Sequence, residues 1–382
     1  MRIAFLILVF ALSVYGRPLL APMYKVDADK RIPGRYLVTL KEDSSAKLCL
    51  DDVIRDAEEL TKDDSGNFFV AKRFQLLDMF VAEMSESALN LVRSIDAVAY
   101  VEEVSIFHLA AVSSWGLDRI DQRDLPLDDT FTPRGDGAGV NVYVVDTGIR
   151  YTHSDFNGRA KFFHDAFGDD GADCNGHGSH CAGTATGSEY GVAKMASVYA
   201  VRVMSCVGFG STDGIIGGIE AVIANGKRPG VVSMSIGGTA SPSLDNVMNF
   251  LRNAGFTIVV AAGNSNADAC YTSPARSASV ITVGATGNTD RRAAYSNYGN
   301  CLNLFAPGTR ITSAWNGGDD SSLAISGTSM ACPHVAGAAA VLLGENPSMS
   351  HDDVKRKLLA DASVNKLTNI GEGSPNLLLY LA

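Results

Sequence analysis

The chain has 382 residues, 46% of them apolar and only 19% charged, which is enough for one large core and a smaller one and excludes bulk disorder. Lys and Arg total 32 against 42 Asp and Glu, a net charge of −10 that argues against nucleic acid as the main partner. No internal stretch is long and apolar enough to span a bilayer, and neither a collagen nor a coiled-coil repeat is present.

Residues 1–16 read as a secretory signal peptide: Arg2 is the basic start, Ile3 to Leu12 the apolar run, and Val14 and Gly16 the small residues before a cut near Arg17. Export makes disulfides permissible, and with seven cysteines at least one is free or paired between chains. Residues 17–107 carry an excess of acid over base and little glycine. Arg35–Leu40 alternates like a strand, Leu50–Thr61 has helical spacing, and Asn67–Phe74 and Asp78–Glu83 read as two strands joined by a short turn. Ser85 can cap a helix running to Ile95, and Val98–Glu102 closes the series as a strand. The order β-α-β-β-α-β is a split βαβ unit of ferredoxin type.

From Gly116 onward the pattern changes. Apolar, β-branched runs recur at Val140–Val145, Ser197–Val203, Val231–Ile236, Ile258–Ala262 and Val280–Val283, separated by helical or glycine-rich stretches. Continuous rather than alternating apolar strands predict a parallel sheet buried on both faces, hence an α/β layered domain with its chemistry at the carboxyl ends of the strands.

Four phrases carry the candidate chemistry, two of them at such ends. Asp146 follows the first run in Asp146-Thr147-Gly148, His177 lies between two glycines in Asn175-Gly176-His177-Gly178-Ser179-His180, and Ser329 opens a helix of small residues in Gly327-Thr328-Ser329-Met330-Ala331. Alone, each has a bland reading as turn Asp, structural His or capping Ser. Together they supply what a weak serine nucleophile needs, an adjacent base and a carboxylate to orient that base. Asn264, in Ala261-Ala262-Gly263-Asn264, adds a side-chain amide that, with the Ser329 backbone N–H, can hold a developing oxyanion.

With these phrases and the segment Trp115-Gly116-Leu117-Asp118-Arg119-Ile120-Asp121-Gln122, the chain resembles the subtilisin-like serine peptidases of the proteinase K branch, in a pattern most similar to aqualysin-like enzymes. The resemblance covers nearly everything after residue 16. It implies a secreted, self-processing endopeptidase, acting as a monomer on polypeptides, with Asp146, His177 and Ser329 as triad and Asn264 as oxyanion donor. It also implies a prodomain at 17–107 that assists folding and inhibits, and a peptidase domain at 108–382. On it, Ser235, Ile236 and Gly237 resemble the substrate-binding strand, Gly208 and Gly210 the opposite edge of the cleft, and Ala262 and Gly263 part of its wall. Apolar, glycine-rich walls suggest a preference for apolar or aromatic P1 residues. Cys174 with Cys206, and Cys270 with Cys301, match the two bridges of such relatives, leaving Cys49, Cys181 and Cys332. Self-cleavage is expected at Phe107–His108, or just after His108 or Leu109. Asp118, Asp121, Gln122, Asp128 and Thr130 stand where these relatives clasp a structural calcium ion. Asn303, which offers no charge, replaces an Asp of another calcium site and weakens it. An alternative is a subtilase that cuts itself once and then serves as a binding protein with its prodomain attached.

Overall fold

The computed structural model describes residues 20–26, 31–41, 50–62, 68–107 and 115–381; the expected signal peptide, Cys49 and His108 lie outside them. The N-terminal unit has strand β1 (Arg31–Leu40), helix α1 (Leu50–Thr61), strands β2 (Phe68–Phe74) and β3 (Met79–Met84), helix α2 (Glu86–Arg93) and strand β4 (Val98–Phe107). The sheet order is β4-β1-β3-β2, all antiparallel, with Met23–Tyr24 adding a short parallel strand outside β4. Apolar faces of α1 and α2 close a small core with Val38, Phe80 and Val101. Ser85 Oγ accepts from Ala88 N, as a capping serine does, but α2 ends at Arg93 because Ser94 turns its N–H back to Leu91 and Val92. Strand β4 runs five residues beyond the expected Glu102, since its end finds new backbone partners in the second unit.

That unit is built on parallel strands β5 (Asn141–Asp146), β6 (Ala160–Asp165), β7 (Ser197–Arg202), β8 (Gly230–Met234), β9 (Thr257–Ala261), β10 (Ile281–Thr286) and β11 (Leu304–Pro307). They lie in the order β11-β10-β9-β8-β5-β7-β6. The five apolar runs of the sequence are β5, β7, β8, β9 and β10. Strand β6 was hidden by its composition, because at the sheet edge Lys161 and Phe162 face water. Helices α3 (His177–Thr186) and α6 (Thr328–Glu345) pack on one face of the sheet, and α4 (Thr212–Asn225) and α5 (Pro242–Asn253) on the other. A further helix, α7 (His351–Asp361), starts with a capping box between Ser350 and Asp353. The N-terminal sheet lies on α4 and α5: Leu37, Phe74, Met79 and Val104 share a core with Ile215, Ile216, Ile219, Leu244 and Met248. Among the described residues no helix is long and apolar enough to cross a membrane.

From β5 the chain forms β6 and β7 on one side and then returns to place β8 on the other, so a crevice opens between the carboxyl ends of β5 and β8. The chemistry-bearing phrases converge there.

Candidate active site

Asp146 is the last residue of β5 and is fully buried. His177 is the first residue of α3, 2% exposed. Its Nδ1–H donates to both carboxylate oxygens of Asp146, at 2.7 and 2.9 Å, while Thr147 N donates to Oδ1 at 2.7 Å. An acceptor-only carboxylate fixes the tautomer, leaving Nε2 as the basic nitrogen.

The glycines beside His177 are required by the protein's own packing. Gly176 has φ of 114° and sits so close to the Trp315 ring that a Cβ would lie 2.4 Å from it. A Cβ on Gly178 would lie 2.1 Å from the Gly148 carbonyl oxygen. Asp173 organises the same turn. It accepts from Asn175 N, Gly176 N and Thr147 Oγ1 at one oxygen, and from Ser179 N and Oγ at the other. One carboxylate thus ties the start of α3 to the residue after Asp146. The sequence reading did not single it out; its signal was an Asp two and three residues ahead of orphan helix-start N–H groups.

Ser329 lies at the second position of α6, and its Oγ donates to the Ser235 carbonyl at 3.0 Å. Pro333, four residues on, has no N–H, so the Ser329 carbonyl lacks its helical partner. It accepts instead from Ser235 Oγ at 2.8 Å and from Cys181 Sγ at 3.5 Å, which pins α6 to the end of β8 and to α3. Asn264 follows β9, and its Oδ1 accepts from Thr328 N at 2.8 Å and Thr328 Oγ1 at 3.1 Å. The amide is therefore oriented, with Nδ2 turned away from Thr328 and available as a donor. Thr328 Oγ1 also accepts from Gly263 N, and Asn297 Nδ2 donates to the Ala262 carbonyl, fixing the wall beside it. Thr328 and Asn297 were also missed as positioning residues, because nothing in their local sequence marks the partner.

Ser235, Ile236 and Gly237 continue β8 past Met234, the first two buried. Opposite them, Gly210 and Ser211 pair antiparallel with the backbone of Phe107 and Ile106, next to Gly208. Cys174–Cys206 and Cys270–Cys301 are both bonded, at 2.04 and 2.12 Å. Cys181 and Cys332 are free and fully buried. Cys181 Sγ lies 3.8 Å from His177 Nδ1, and burial pushes its thiol well up; Cys332 is pushed up to about 12, also by burial. Neither is a thiolate at neutral pH.

At the start of this unit Asp118 accepts from Asp128 N and Asp129 N, Asp121 from Thr132 N, and Asp128 from Thr130 N and Oγ1. Burial, then the Asp128 and Asp118 charges, raises the Asp121 carboxyl. Gln122 Oε1 is buried with no hydrogen-bond partner. A partly desolvated Asp121 that feels the Asp118 and Asp128 charges, next in sequence to an orphan amide oxygen, offers the oxygen donors a hard cation takes, without the three carboxylates being drawn together as a ready-made ligand set. Asn303 differs: its Oδ1 accepts from Thr282 N at 2.9 Å, so that oxygen is already engaged.

A carboxylate-oriented imidazole, a helix-start serine and an oriented amide at one crevice are the parts of an acyl-transfer centre. Comparisons with known proteins agree. Residues 137–376 match the peptidase S8 Subtilase family. The chain is 45% identical over 378 residues to an extracellular serine proteinase of Thermus sp. (strain Rt41A), covering 94% of this chain and 92% of that one. It is 36% identical over 370 residues to a cuticle-degrading protease of Metarhizium anisopliae, covering 94% and 92%. The crystal structure of a cold adapted subtilisin-like serine proteinase is 48% identical, superposes with a TM-score of 0.68, and covers 71% of this chain and 98% of that one. The chain belongs to the subtilase family and is a secreted serine endopeptidase.

Proposed function

We propose that the chain is a self-processing endopeptidase in which Ser329 attacks the scissile carbonyl, His177 takes its proton and returns it to the leaving amine, and Asp146 stabilises the imidazolium. Asn264 Nδ2 and the Ser329 N–H receive the oxyanion. The observation that carries the reading is the bidentate Asp146–His177 pair facing the helix that starts with Thr328 and Ser329. Extended substrate adds as a strand between Ser235–Gly237 and Gly208–Gly210, so binding rests largely on main chain, with Ala262 and Gly263 lining a pocket for an apolar or aromatic P1 side chain. The pairing of Ile106–Phe107 with Gly210–Ser211 supports residues 17–107 as a prodomain whose tail is the first product, cut at Phe107–His108. Residues 108–382 are then the mature peptidase.

Calcium has a structural part in this reading. Asp118, Asp121, Gln122, Asp128 and Thr130 would hold it, and its charge would offset their repulsion and tie the new N-terminal segment to the body. The test of the whole is Ser329→Ala in the full chain. It should yield only precursor of near full length after signal removal, whereas the wild type yields a mature N-terminus at or just after residue 108. A mature product from the mutant would refute self-processing.

A further inference from the structure

The contact between the two units holds a set of charges that the peptide-bond chemistry does not use. On the enzyme side Asp213 and Glu220 stand seven residues apart on α4, hence on one face of that helix. On the N-terminal side Arg35 of β1 and Lys72 of β2 point at them. Arg35 Nη2 is bonded to Asp213 Oδ2, and the Asp213 side chain is only 4% exposed. Lys72 lies over α4 with its ammonium against Gly217, so close that a Cβ there would be 2.1 Å from Nζ. Burial lowers the Lys72 ammonium, while Asp213 and Glu220 act to raise it. Glu220 also accepts from Leu76 N of the N-terminal unit.

We infer that this two-on-two arrangement, Arg35 and Lys72 against Asp213 and Glu220, is an electrostatic latch that selects the chain's own prodomain. The inference rests on the self-processing reading above. Its logic is desolvation. Arg35 Nε and Asp213 Oδ1 are both buried without a hydrogen-bond partner; Arg35 also lies 3.6 Å from the exposed Glu83 of its own unit, so the Arg35–Asp213 bond is its ion pair across the contact. A prodomain with a neutral or acidic side chain in place of Arg35 would leave Asp213 buried with only the more distant Lys72 ammonium to offset it. That penalty, more than the attraction itself, discriminates between partners. The main-chain pairing of Ile106–Phe107 carries no such information, because any extended tail can make it. Gly217 completes the device: it leaves the space on α4 that the Lys72 ammonium fills.

The test uses the full chain, allowed to process itself and purified as the cleaved complex. Release of the prodomain is followed as recovery of peptidase activity after dilution. Arg35→Ala and Asp213→Ala should each speed release by about tenfold to a hundredfold. The reversed pair, Arg35→Asp with Asp213→Arg, should return to within about tenfold of wild type, although either reversal alone releases fastest of all. Gly217→Ala, which favours the helix, should speed release a few-fold with no loss of mature-enzyme stability. If wild type forms no cleaved complex, the self-processing reading fails. If the complex forms and all charge variants release at the wild-type rate, or the reversed pair is no better than the single reversals, the latch is refuted.

Discussion

Asp173 bonds to Thr147, Asn175, Gly176 and Ser179 rather than to Asp146, His177 or Ser329, yet its removal should be costly in a measurable way. Its carboxylate receives five donors: Thr147 Oγ1, Asn175 N, Gly176 N, Ser179 N and Ser179 Oγ, at 2.7–2.9 Å. Asp173→Ala leaves the α3 start uncapped, worth about 0.5–2 kcal/mol, and removes charge-assisted bonds that water replaces only in part at a half-exposed position. A net loss of roughly 2–4 kcal/mol of stability follows. The same bonds set the distance between Asp146 and His177, so kcat should fall about tenfold to a hundredfold, the size expected when a catalytic group is displaced by about 1 Å. KM should stay within about twofold, because no contact to substrate is lost. Asp173→Asn keeps an oxygen for three of the donors but turns an amide toward the two from Ser179, so it should fall between wild type and Ala. The assay is steady-state hydrolysis of a chromogenic peptide, with denaturant melts of inhibitor-blocked enzyme alongside. Wild-type kcat in the Ala variant, or a loss confined to KM, would refute the argument.

Alkylating reagents should leave native activity nearly intact, since Cys181 and Cys332 are buried and protonated; full inactivation with stoichiometric labelling of Cys181 would contradict this. Stability should decline as pH falls from about 6.5 toward 4. Burial lowers His180 to about 3 and His334 and His351 to about 4, so in that window the unfolded chain binds protons that the folded one does not. Three such groups give a slope of up to about 4 kcal/mol per pH unit near pH 5, and a flat profile in denaturant melts of blocked enzyme would exclude it. Chelation should shorten the half-life of heated enzyme and barely change initial rates. A hundredfold excess of calcium over its Kd is worth about 2.7 kcal/mol, or roughly 5–10 °C in Tm, and Asp121→Ala should abolish that dependence. Equal heat inactivation with chelator and with millimolar calcium would remove the clasp.

What the sequence made legible was local and periodic. Leu50–Thr61 is a helix with the bounds its spacing predicts, and Ser85 caps α2. The parallel strands announced themselves because burial on both faces leaves no polar alternation to confuse the reading. Ala160–Asp165 was illegible for the converse reason, an edge strand whose exposed positions look like loop. Likewise Leu304–Pro307 is short and ends in proline, so only its pairing with β10 on one side and with Leu378 on the other makes it a strand. The length of β4 could not be read at all, because its last residues are strand only where Gly210–Ser211 lies beside them.

At the site the same division has a chemical cause. Asp146, His177, Asn264 and Ser329 could be picked out because each belongs to a phrase of small residues, glycines and strand ends with few structural uses. The positioning roles of the groups that hold them are not marked in any phrase. Asp173 reads as an ordinary loop acid, Thr328 as a helix-start residue and Ser235 as the end of a strand. Their roles exist only as distances between segments far apart in sequence, such as the 2.8 Å between Ser235 Oγ and the Ser329 carbonyl. Pro333 shows how such a distance can still be argued from sequence once the fold is known. A proline four residues after the nucleophile frees one helix carbonyl, a buried carbonyl must find a donor, and the donors in reach are Ser235 and Cys181. Replacing Pro333 by alanine would offer Ser329 O a third, helical donor and loosen its claim on Ser235. The residue that looks like a helix breaker is therefore what binds the helix of the proposed nucleophile to the end of β8.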